Sequence, residues 1–543
     1  MSASSFLDKQ TSNVEDHMKS EHQESTNYDP VTLQGYNYLV CERIDSPTEI
    51  TVSQTWLSNE GPFSSSDSKQ LKRACLSYAL FRLLRRSFFG IACPESRLQK
   101  THDLVLKGLL VDVENNYEAA YRVIEAELAF THDHFFTSSA SFNTKLSRLI
   151  ILLSIGKVCA YPLMAVLLIR TFIQNNDKTR SSETQEMPVR LFEAVLAAVI
   201  MLMFSIVELL QLYLYLSSDW AKIQLVRFYI SGKSIQCGTY MFYNKLPRIL
   251  GYWQHKIGQH SLLKDLHGRS FITDIMGSVS GRFFRLFEYH SVMSRGICHP
   301  GVKRSGPIRL NRDVNLAVVR TLKASNGQLS NGAFSLQQNA QCRLLWACQQ
   351  GNHVSTMLIW HVATEYCDLA QSCGKEVGGR SVSNRTIAGT LSNYCAYLMA
   401  FVPELLPGHQ LGTRKLFDKV RHDALNMLSK ERTLHAKYRR MKTIEVKPSD
   451  ERVFMKGIRL GKQLKEIRHH MRWKVLADFW TEMILYIAPS DNAKAHIEHL
   501  ANGGEFLTHL WALLFHAGIL ERDEFNHDIE NAATDQSNQE VED

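Results

Sequence analysis

Two long apolar stretches dominate the hydrophobic pattern of this chain. The first covers residues 149–169 (LIILLSIGKVCAYPLMAVLLI) and the second residues 191–216 (LFEAVLAAVIMLMFSIVELLQLYLYL), and a polar segment separates them. At a rise of about 1.5 Å per residue, the first stretch covers about 30 Å as a helix, the thickness of a bilayer's hydrocarbon core. The pattern therefore predicts two transmembrane helices. The alternative is a pair of core helices in a large soluble domain.

Both stretches contain groups that are costly inside a bilayer. Lys157 lies near the middle of the first and Pro162 would kink it, whereas Glu193 lies at the edge of the second and Glu208 inside it. A Lys157–Glu208 pair would neutralise both charges. Simple pairing of the two helices is favoured over an ion pathway, because two helices alone rarely enclose a pore.

A third helix is predicted ahead of the apolar stretches, over residues 69–91. Its apolar positions recur at helical spacing, with four arginines among them or opposite: Arg73, Arg82, Arg85 and Arg86. Such a helix suits a membrane interface, where the arginines would meet lipid headgroups. It equally suits a soluble core with a charged outer face, and the pattern leaves both readings open.

The chain after the apolar stretches is predicted to be mostly helical. A Gly-, Pro- and His-rich linker at 296–306 marks a boundary, and residues 312–370 are helical with one turn-rich interruption. The apolar segment 387–405 contains Ser, Asn and Glu, so it is predicted to be a buried or interfacial helix and not a span. Three short helices joined by tight turns follow 466 and can form a small self-packing unit.

Composition agrees with a folded protein that carries a few membrane helices. The 543 residues are 45% apolar and 21% charged, and the mean hydropathy is slightly negative. This composition argues against wholesale disorder and against a fully embedded bundle. Residues 1–30 are polar and acidic, which predicts a disordered tail and excludes a cleavable signal peptide. The eleven cysteines include no Cys-x-x-Cys and indicate a reduced, intracellular protein.

Charge is distributed unevenly along the chain. Residues 1–30 carry a net charge of −4 and residues 521–543 a net charge of −8. Because the whole chain carries +8, the body between these two segments carries +20. Residues 413–474 alone hold nineteen bases against seven acids. This basic stretch predicts either a solvated surface or a surface that binds anionic lipid headgroups, and it lacks a nucleic-acid-binding motif. The bases flanking the apolar stretches predict a cytoplasmic C-terminal region.

Two groups of potential metal ligands occur along the sequence, one of histidines and cysteines and one of histidines. The first is Cys342, Cys348, His353, His361, Cys367 and Cys373, whose cysteine pairs are each six residues apart and do not match zinc-ligand spacing. The second is His496, His499, His509 and His516, with Glu498 between the first two, and it lacks the zinc-protease pattern of two histidines four apart. Buried thiols and structural histidines are therefore favoured. No catalytic, cofactor-binding or metal residue is predicted.

Several segments resemble a plant family of membrane-associated domains of unknown function. They include ACLSYALFRLLRRSFFGI (74–91), YRVIEAELAFTHDHFFT (121–137), SSDWAKIQLVRFYI (217–230) and SDNAKAHIEHLANGGEFLTHLWALLFHAGI (490–519). Residues from about 30 to 405 resemble domain-of-unknown-function family 4220, and about 466–522 resemble family 594. Family members typically begin with further membrane helices ahead of the region equivalent to Tyr36, so the resemblance implies a shortened or alternatively started version.

The resemblance implies a membrane protein but no activity, cofactor or catalytic residue. The expected organisation is a disordered tail (1–30), a membrane-associated helical domain (31–300), its helical continuation (301–412), a basic connector (413–465), a small C-terminal helical domain (466–522) and an acidic disordered tail (523–543). We expect an interaction or scaffold protein with lipid and unidentified protein partners. The alternatives are a transport component that uses Lys157 and Glu208, and an enzyme that uses the C-terminal histidines.

Overall fold

The structure is a computed structural model that describes residues 14, 17–18, 27–42, 49–64, 68–91, 93–137, 147–178, 187–230, 253–266, 305–372 and 379–522. With 73% helix the fold is mainly α, as the sequence predicts. The predicted linker at 296–306 and the acidic tail lie outside the described residues, as does most of the N-terminal tail.

The described helices, numbered in chain order, are α1 (Val52–Leu57), α2 (Ser68–Phe88), α3 (Gln99–Asp103), α4 (Val113–Phe136), α5 (Ser147–Lys178), α6 (Met187–Leu216), α7 (Asp219–Ile230), α8 (Leu262–Asp265), α9 (Arg312–Ala324), α10 (Ala333–Gln338), α11 (His353–Ser372), α12 (Gly379–Phe401), α13 (Gln410–Leu428), α14 (Leu434–Thr443), α15 (Val453–Glu466), α16 (His469–Tyr486), α17 (Ala493–Leu500) and α18 (Phe506–His516). A π-helical turn, Leu104–Leu109, follows α3. Strands of the described residues form two antiparallel pairs, β1 (Leu39–Glu42) with β2 (Glu49–Thr51) and β3 (Lys256–Gln259) with β4 (Ser305–Arg309).

The chain divides into two compact units. The first comprises Met1–Glu21, Gln34–Arg82 and Ala126–Tyr252, and the second comprises His22–Leu33, Leu83–Glu125 and Trp253–Asp543. Each unit contains segments that are distant in sequence, so neither corresponds to a single one of the predicted domains. The predicted domain boundaries themselves stay predictions.

An aromatic cluster forms the core of the first unit. The Trp220 ring on α7 packs edge-on against Phe130 of α4, with centroids 5.0 Å apart, and against Tyr78 of α2, 5.7 Å away. The Trp220 indole N–H donates to the Asp133 carboxylate at 3.1 Å, so its one polar group is satisfied. These contacts fix α7 directly after the second long apolar helix.

Three of the four arginines of α2 are buried and Arg73 is half-buried, which decides between the two readings of that helix. Arg82, Arg85 and Arg86 are no more than 7% exposed. Arg82 donates to the Val40 carbonyl at 3.4 Å, and Arg86 forms an ion pair with the buried Glu95. Guanidinium groups with partners inside the protein do not reach lipid headgroups. The membrane-interface reading is therefore wrong for these residues, and α2 is a core helix.

Helices α5 and α6 pack against each other as an antiparallel pair. Their less exposed positions recur at alternating spacings of four and three residues, which is typical of a left-handed helical seam. Small side chains hold many of these positions, which lets the two backbones approach closely. The seam positions are Ser154, Val158, Tyr161, Ala165 and Leu168 on α5, and Ala194, Ala198, Met201, Ser205, Glu208 and Leu212 on α6.

Outside the seam, α5 and α6 expose apolar side chains. Of the 31 large hydrophobic residues that are exposed in the described structure, 22 lie on these two helices. Only 6% of the span Ile151–Gln174 and 11% of Leu191–Leu216 is buried. A core helix of a soluble domain is mostly buried, whereas these two helices are mostly exposed among the described residues.

Three long helices, α11, α12 and α16, form the core of the second unit. All residues 354–367 of α11 are buried, including Trp360, whose ring stacks on Phe479 of α16 with centroids 3.7 Å apart. Residues 387–401 lie in the largely buried helix α12, which confirms the prediction of a buried helix. Helix α16 packs against α12 and α9, which lie outside the predicted C-terminal domain.

Two glycines of α15 allow that helix to approach α11 closely. A Cβ atom at Gly457 would lie 2.6 Å from the Val362 Cβ, and one at Gly461 would lie 2.8 Å from the Tyr366 ring. Both distances are far shorter than normal carbon contacts. The Gly-x-x-x-Gly pattern of this charged helix is therefore a packing seam within the second unit.

Candidate functional site

The structure brings together two of the three predicted intramembrane charges. The Lys157 ammonium donates to the Glu208 carboxylate at 3.0 Å across the α5–α6 seam. One turn away, the Ser205 hydroxyl donates to the Val158 carbonyl at 3.0 Å. Glu193 lies on the exposed surface of α6. The expected Lys157–Glu208 pairing is confirmed, and its effect is to neutralise two charges and join two helices.

The predicted His/Cys cluster does not form a metal site among the residues described. Cys342 is exposed, whereas Cys348 and Cys367 are buried, and the Cys367 thiol donates to the Gly461 carbonyl at 3.8 Å. Cys373 lies outside the described residues. Within the described part of the chain, no group of three or more His, Cys, Asp or Glu side chains is placed to hold a metal ion.

Burial also makes two of the cluster's thiols, those of Cys348 and Cys367, poor ligands. It raises the pKa of the Cys367 thiol to about 12, and it raises the pKa of the Cys348 thiol well above its usual value. Metal ligation and nucleophilic attack both require the thiolate. These two cysteines therefore behave as small apolar side chains.

His361 belongs instead to a buried polar network that the sequence did not reveal. Glu365 lies one turn further along α11, and its carboxylate accepts hydrogen bonds from the Ser261 hydroxyl and, at 3.1 Å, from the Leu263 backbone N–H. On the other side, the His361 Nδ1 lies 2.9 Å from the Ser392 hydroxyl of α12. The network connects α11, α12 and the segment before α8.

The network resembles a Ser-His-Glu triad in composition, but its hydrogen bonds run the other way. The Leu262 backbone N–H points at the His361 Nε2 at 3.3 Å, so Nε2 must accept a hydrogen bond. The ring proton then lies on Nδ1, which donates to the Ser392 oxygen. A nucleophilic serine needs a histidine that accepts its proton. His361 does not do so here, and Ser392 is 1% exposed.

Burial sets the protonation states in the network. Desolvation raises the pKa of Glu365 to about 7 and lowers the pKa of His361 to about 3. The adjoining cavity, lined by Ser261, Glu365 and Ser392, measures only about 80 Å³. Cavities that bind small organic molecules measure about 300–1,000 Å³. The network therefore positions the chain around α8 and is not a substrate site.

A larger groove of about 740 Å³ lies elsewhere in the second unit. Its walls are mainly apolar and include Ile91, Leu98, Trp511 and Phe515. Asp491 is the one charged residue among the described residues that line it. None of the predicted site residues lies in its walls.

The C-terminal histidines occupy separate surroundings. The His496 Nδ1 lies 3.0 Å from the Thr508 hydroxyl, and its ring stacks on Trp511 with centroids 4.3 Å apart. The His499 Nε2 lies 3.0 Å from the Glu404 carboxylate. Burial lowers the pKa of His496 to about 3, so it stays neutral and is a weak base.

The remaining members of the cluster are also accounted for by packing. His509 is hydrogen-bonded to the Glu505 carbonyl at 2.9 Å and stacks on Trp253, and burial lowers its pKa to about 4. His516 is buried. Glu498 lies 3.9 Å from Lys494 on the surface of α17. These contacts explain the histidines as structural residues and offer no common site.

The basic stretch divides into bases used inside the fold and bases presented on its surface. Lys437 is buried and donates to the Leu263 carbonyl at 2.8 Å, and Arg421 pairs with Asp265 at 3.0 Å. A second set is exposed, lies on α14 or in the turns beside it, and forms no ion pair with a described carboxylate. We name it the α14 basic patch; it comprises Lys430, Arg432, Arg439, Arg440, Lys442 and Lys447.

Two family models match the chain. The model described as "Domain of unknown function (DUF4220)" matches residues 2–266, and the model described as "Protein of unknown function, DUF594" matches residues 465–519. The chain carries both domains. No curated protein and no solved structure matches it.

The two matches divide the site residues between them. The DUF4220 match contains all of α5 and α6, and with them the Lys157–Glu208 pair. The DUF594 match contains α16, α17 and α18 with the four C-terminal histidines. The α14 basic patch and the His361 network's helices lie between the matches. The predicted extension of the DUF4220 resemblance from 267 to 405 stays a prediction.

Proposed function

We propose that this DUF4220–DUF594 protein is a membrane-anchored, non-enzymatic interaction protein. The observation that carries the proposal is the exposed apolar surface of the α5–α6 pair. Burying apolar surface away from water contributes about 25 cal/mol per Å², so exposing 22 large apolar side chains to water would be very costly. A bilayer removes this cost, and both helices are long enough to cross one.

The docking surface is the α14 basic patch, and its ligand is a set of anionic lipid headgroups. Six exposed cationic side chains that form no ion pair with a described carboxylate make a surface that attracts a negatively charged membrane face. The positive-inside rule favours a cytoplasmic location for the C-terminal region, where anionic lipids are concentrated. A non-enzymatic role is supported by the structural partners of His361, His496, His499 and His509.

The transport alternative has less support. It needs Lys157 and Glu208 to exchange ions, whereas each has the other as a direct partner at 3.0 Å. That contact is accounted for by helix pairing alone. The enzyme alternative needs convergent histidines, and the described ones have separate partners.

Alkaline carbonate extraction tests the membrane anchor. We expect the full chain to remain in the membrane pellet. A variant with three exposed α6 residues changed to aspartate (Val199→Asp, Met203→Asp, Ile206→Asp) is expected to be released or degraded. The matched control changes three exposed apolar residues outside the helix pair (Val31→Asp, Leu57→Asp, Leu411→Asp) and should stay in the pellet. Release of the unchanged chain would overturn the anchor.

Vesicle capture tests the docking surface. The full chain in nanodiscs of zwitterionic lipid should bind phosphatidylserine vesicles and not phosphatidylcholine vesicles. Removing three charges from the patch (Arg432→Gln, Arg439→Gln, Arg440→Gln) should weaken capture. The control removes three exposed arginines elsewhere (Arg309→Gln, Arg343→Gln, Arg468→Gln) and should leave it unchanged. Equal weakening by both variants would show that only overall charge matters, and the assigned surface would be wrong.

A further inference from the structure

The α14 basic patch is a fixed array of charges because α14 is held by its buried face. Tyr438 and Met441 of α14 are buried, and the Tyr438 ring lies 5.2 Å from Tyr366 of α11. The Lys465 ammonium donates to the Tyr438 hydroxyl at 2.9 Å, which ties α14 to α15 as well. Arg439, Arg440 and Lys442 therefore project from a helix whose backbone is already fixed, and an acidic ligand can bind these three without ordering that backbone.

An acidic segment of matching charge belongs to the same chain. Residues 523–543 contain eight aspartates and glutamates and no lysine or arginine. The residue that precedes them is anchored in the second unit, because Arg522 donates to the Tyr486 carbonyl at 3.0 Å and to the Pro489 carbonyl. The segment thus starts from a defined point.

That starting point lies within reach of the patch. Arg522 is close enough to His353, the first residue of α11, to lower its pKa. Tyr366, which contacts α14, lies thirteen residues further along α11, or about 20 Å at the rise of a helix. A chain of 21 residues spans up to about 70 Å when fully extended, which exceeds this distance. The acidic segment can therefore reach the patch without a change in fold.

We infer that the acidic segment 523–543 binds the α14 basic patch and competes there with anionic headgroups. The inference rests on the proposed function in one respect, namely that the patch is the headgroup-binding surface. Contact between the segment and the patch does not depend on it. The segment carries about as much charge as a small cluster of lipid phosphates, and its tethering gives it a high effective concentration. It is thus an intramolecular inhibitor of membrane docking.

Zero-length carbodiimide crosslinking of the full chain tests the contact, because this reagent joins carboxylates to lysines in direct ion pairs. We expect crosslinks from residues 523–543 to Lys430, Lys442 and Lys447. Lys494 is the reference lysine, since its side chain is 86% exposed. It follows closely after Pro489, whose carbonyl accepts a hydrogen bond from Arg522, the residue just before the acidic segment. Proximity alone would favour Lys494, whereas charge attraction favours the patch.

Arginine variants test whether the crosslinks depend on the patch or only on the net charge of the whole chain. They leave the three lysines that report the crosslinks in place. The Arg432/Arg439/Arg440→Gln variant should reduce patch crosslinks by about tenfold, since three exposed ion pairs are removed. The Arg309/Arg343/Arg468→Gln control should not reduce them. Salt at 0.5 M, where the screening length falls below about 5 Å, should abolish them. Crosslinks that favour Lys494, or that persist in the patch variant, would overturn the inference.

Removal of residues 523–543 separates this inference from the proposed function. If both hold, the truncated chain captures phosphatidylserine vesicles more strongly than the full chain, and the full chain shows patch crosslinks. Patch crosslinks without vesicle capture by the truncated chain would leave the contact and reject the headgroup-binding surface. Vesicle capture that is equal with and without the segment, in the absence of crosslinks, would reject the inference and leave the proposed function.

Discussion

The Lys157 ammonium lies 3.0 Å from the Glu208 carboxylate, across the seam of two helices whose exposed side chains are mainly apolar. The two side chains differ in exposure, with Lys157 at 52% and Glu208 at 18%. The carboxylate is therefore enclosed between the helices, and the lysine reaches over it from the outer surface. Removing the lysine leaves the enclosed carboxylate without its counter-charge.

The first prediction concerns this pair. Lys157→Leu and Glu208→Leu should each destabilise the helix pair, because each leaves one charge unpaired in an apolar environment. The double variant Lys157→Leu/Glu208→Leu should recover most of the loss, since it removes both charges together. Unfolding of the purified chain in mixed detergent micelles measures the effect as a double-mutant cycle.

Glu193→Leu provides the matched control for the cycle. Glu193 is exposed at the start of α6 and lies outside the seam. Its loss should neither destabilise the helix pair nor couple to Lys157→Leu. Losses at Lys157 and Glu208 that simply add would show that the contact contributes nothing to the pairing.

The second prediction uses two exposed cysteines to locate the bilayer. Cys159 lies on the outer surface of α5, and Cys342 lies on the surface of the second unit. The experiment uses membrane fragments, in which the bilayer is preserved and both of its faces are accessible. There, a charged, membrane-impermeant thiol reagent should label Cys342 and leave Cys159 unlabelled. A lipid-soluble maleimide should label both. Peptide mass spectrometry measures the two sites within one sample.

Detergent extraction supplies the control for the cysteine experiment. Once the lipid is replaced by a thin, dynamic micelle, labelling of Cys159 by the charged reagent should increase. The buried Cys395, whose thiol pKa is raised by desolvation, should stay unlabelled throughout. Equal labelling of Cys159 and Cys342 in membranes would mean that α5 lies in water.

The third prediction concerns the close contact of α15 with α11. Gly457→Ala should cost about 2 kcal/mol of unfolding free energy, because overpacking a filled core costs about 1–3 kcal/mol. The new Cβ would lie 2.6 Å from the Val362 Cβ and 3.1 Å from the Ile359 carbonyl oxygen, and neither atom is the end of a flexible side chain. Denaturant unfolding followed by tryptophan fluorescence measures the change.

Gly412→Ala is the matched control, since Gly412 also lies in a helix but has no atom within 4 Å of a built Cβ. Alanine is favoured over glycine in helices by about 1 kcal/mol, so this variant should be more stable than the parent chain. A stabilising effect of both substitutions would show that α15 does not pack tightly on α11.

The sequence predicted the elements whose signal is local. The bounds of α5 and α6 enclose the two apolar stretches because a continuous apolar run of this length has few alternatives to a long helix. The Lys157–Glu208 pair was predictable because two charges in such runs need partners. The roles of Arg82 and Arg86 on α2 were not predictable, since their partners Val40 and Glu95 come from segments whose placement no local pattern reveals.

The polar network of α11 was missed for the same reason. Its members Ser261, His361, Glu365 and Ser392 are spread over 131 residues, and only the fold brings them together. A local sign did exist, since His361 and Glu365 lie one helical turn apart in a stretch that is otherwise apolar. Polar residues on the same face of a buried helix indicate a shared network. By distance along the sequence alone, His361 groups with the nearby cysteines instead.

The network's two titratable groups oppose each other in their effect on stability. Burial raises the pKa of Glu365 from its usual 4.5 to about 7, so the folded state holds this proton longer and stability is lost as the pH rises from 4.5 to 7. Burial lowers the pKa of His361 from 6.5 to about 3, so the unfolded state binds this proton first and stability is gained as the pH rises from 3 to 6.5. Between pH 4.5 and 6.5 the two effects largely cancel.

The fourth prediction is that Glu365→Gln removes this cancellation. Glutamine keeps the shape of the protonated acid and a carbonyl acceptor, so the fold should persist, while the cost of ionising a buried carboxylate disappears. Relative to the parent chain, the variant should gain about 3 kcal/mol of unfolding free energy between pH 4.5 and 7.5, from about 2.5 pKa units at 1.36 kcal/mol each. Urea unfolding at a series of pH values measures the difference, with Glu445→Gln at an exposed position as the control. A difference that stays constant with pH would mean that Glu365 is ionised in the folded protein already at pH 5, and that its hydrogen bonds to Ser261 and Leu263 outweigh its burial.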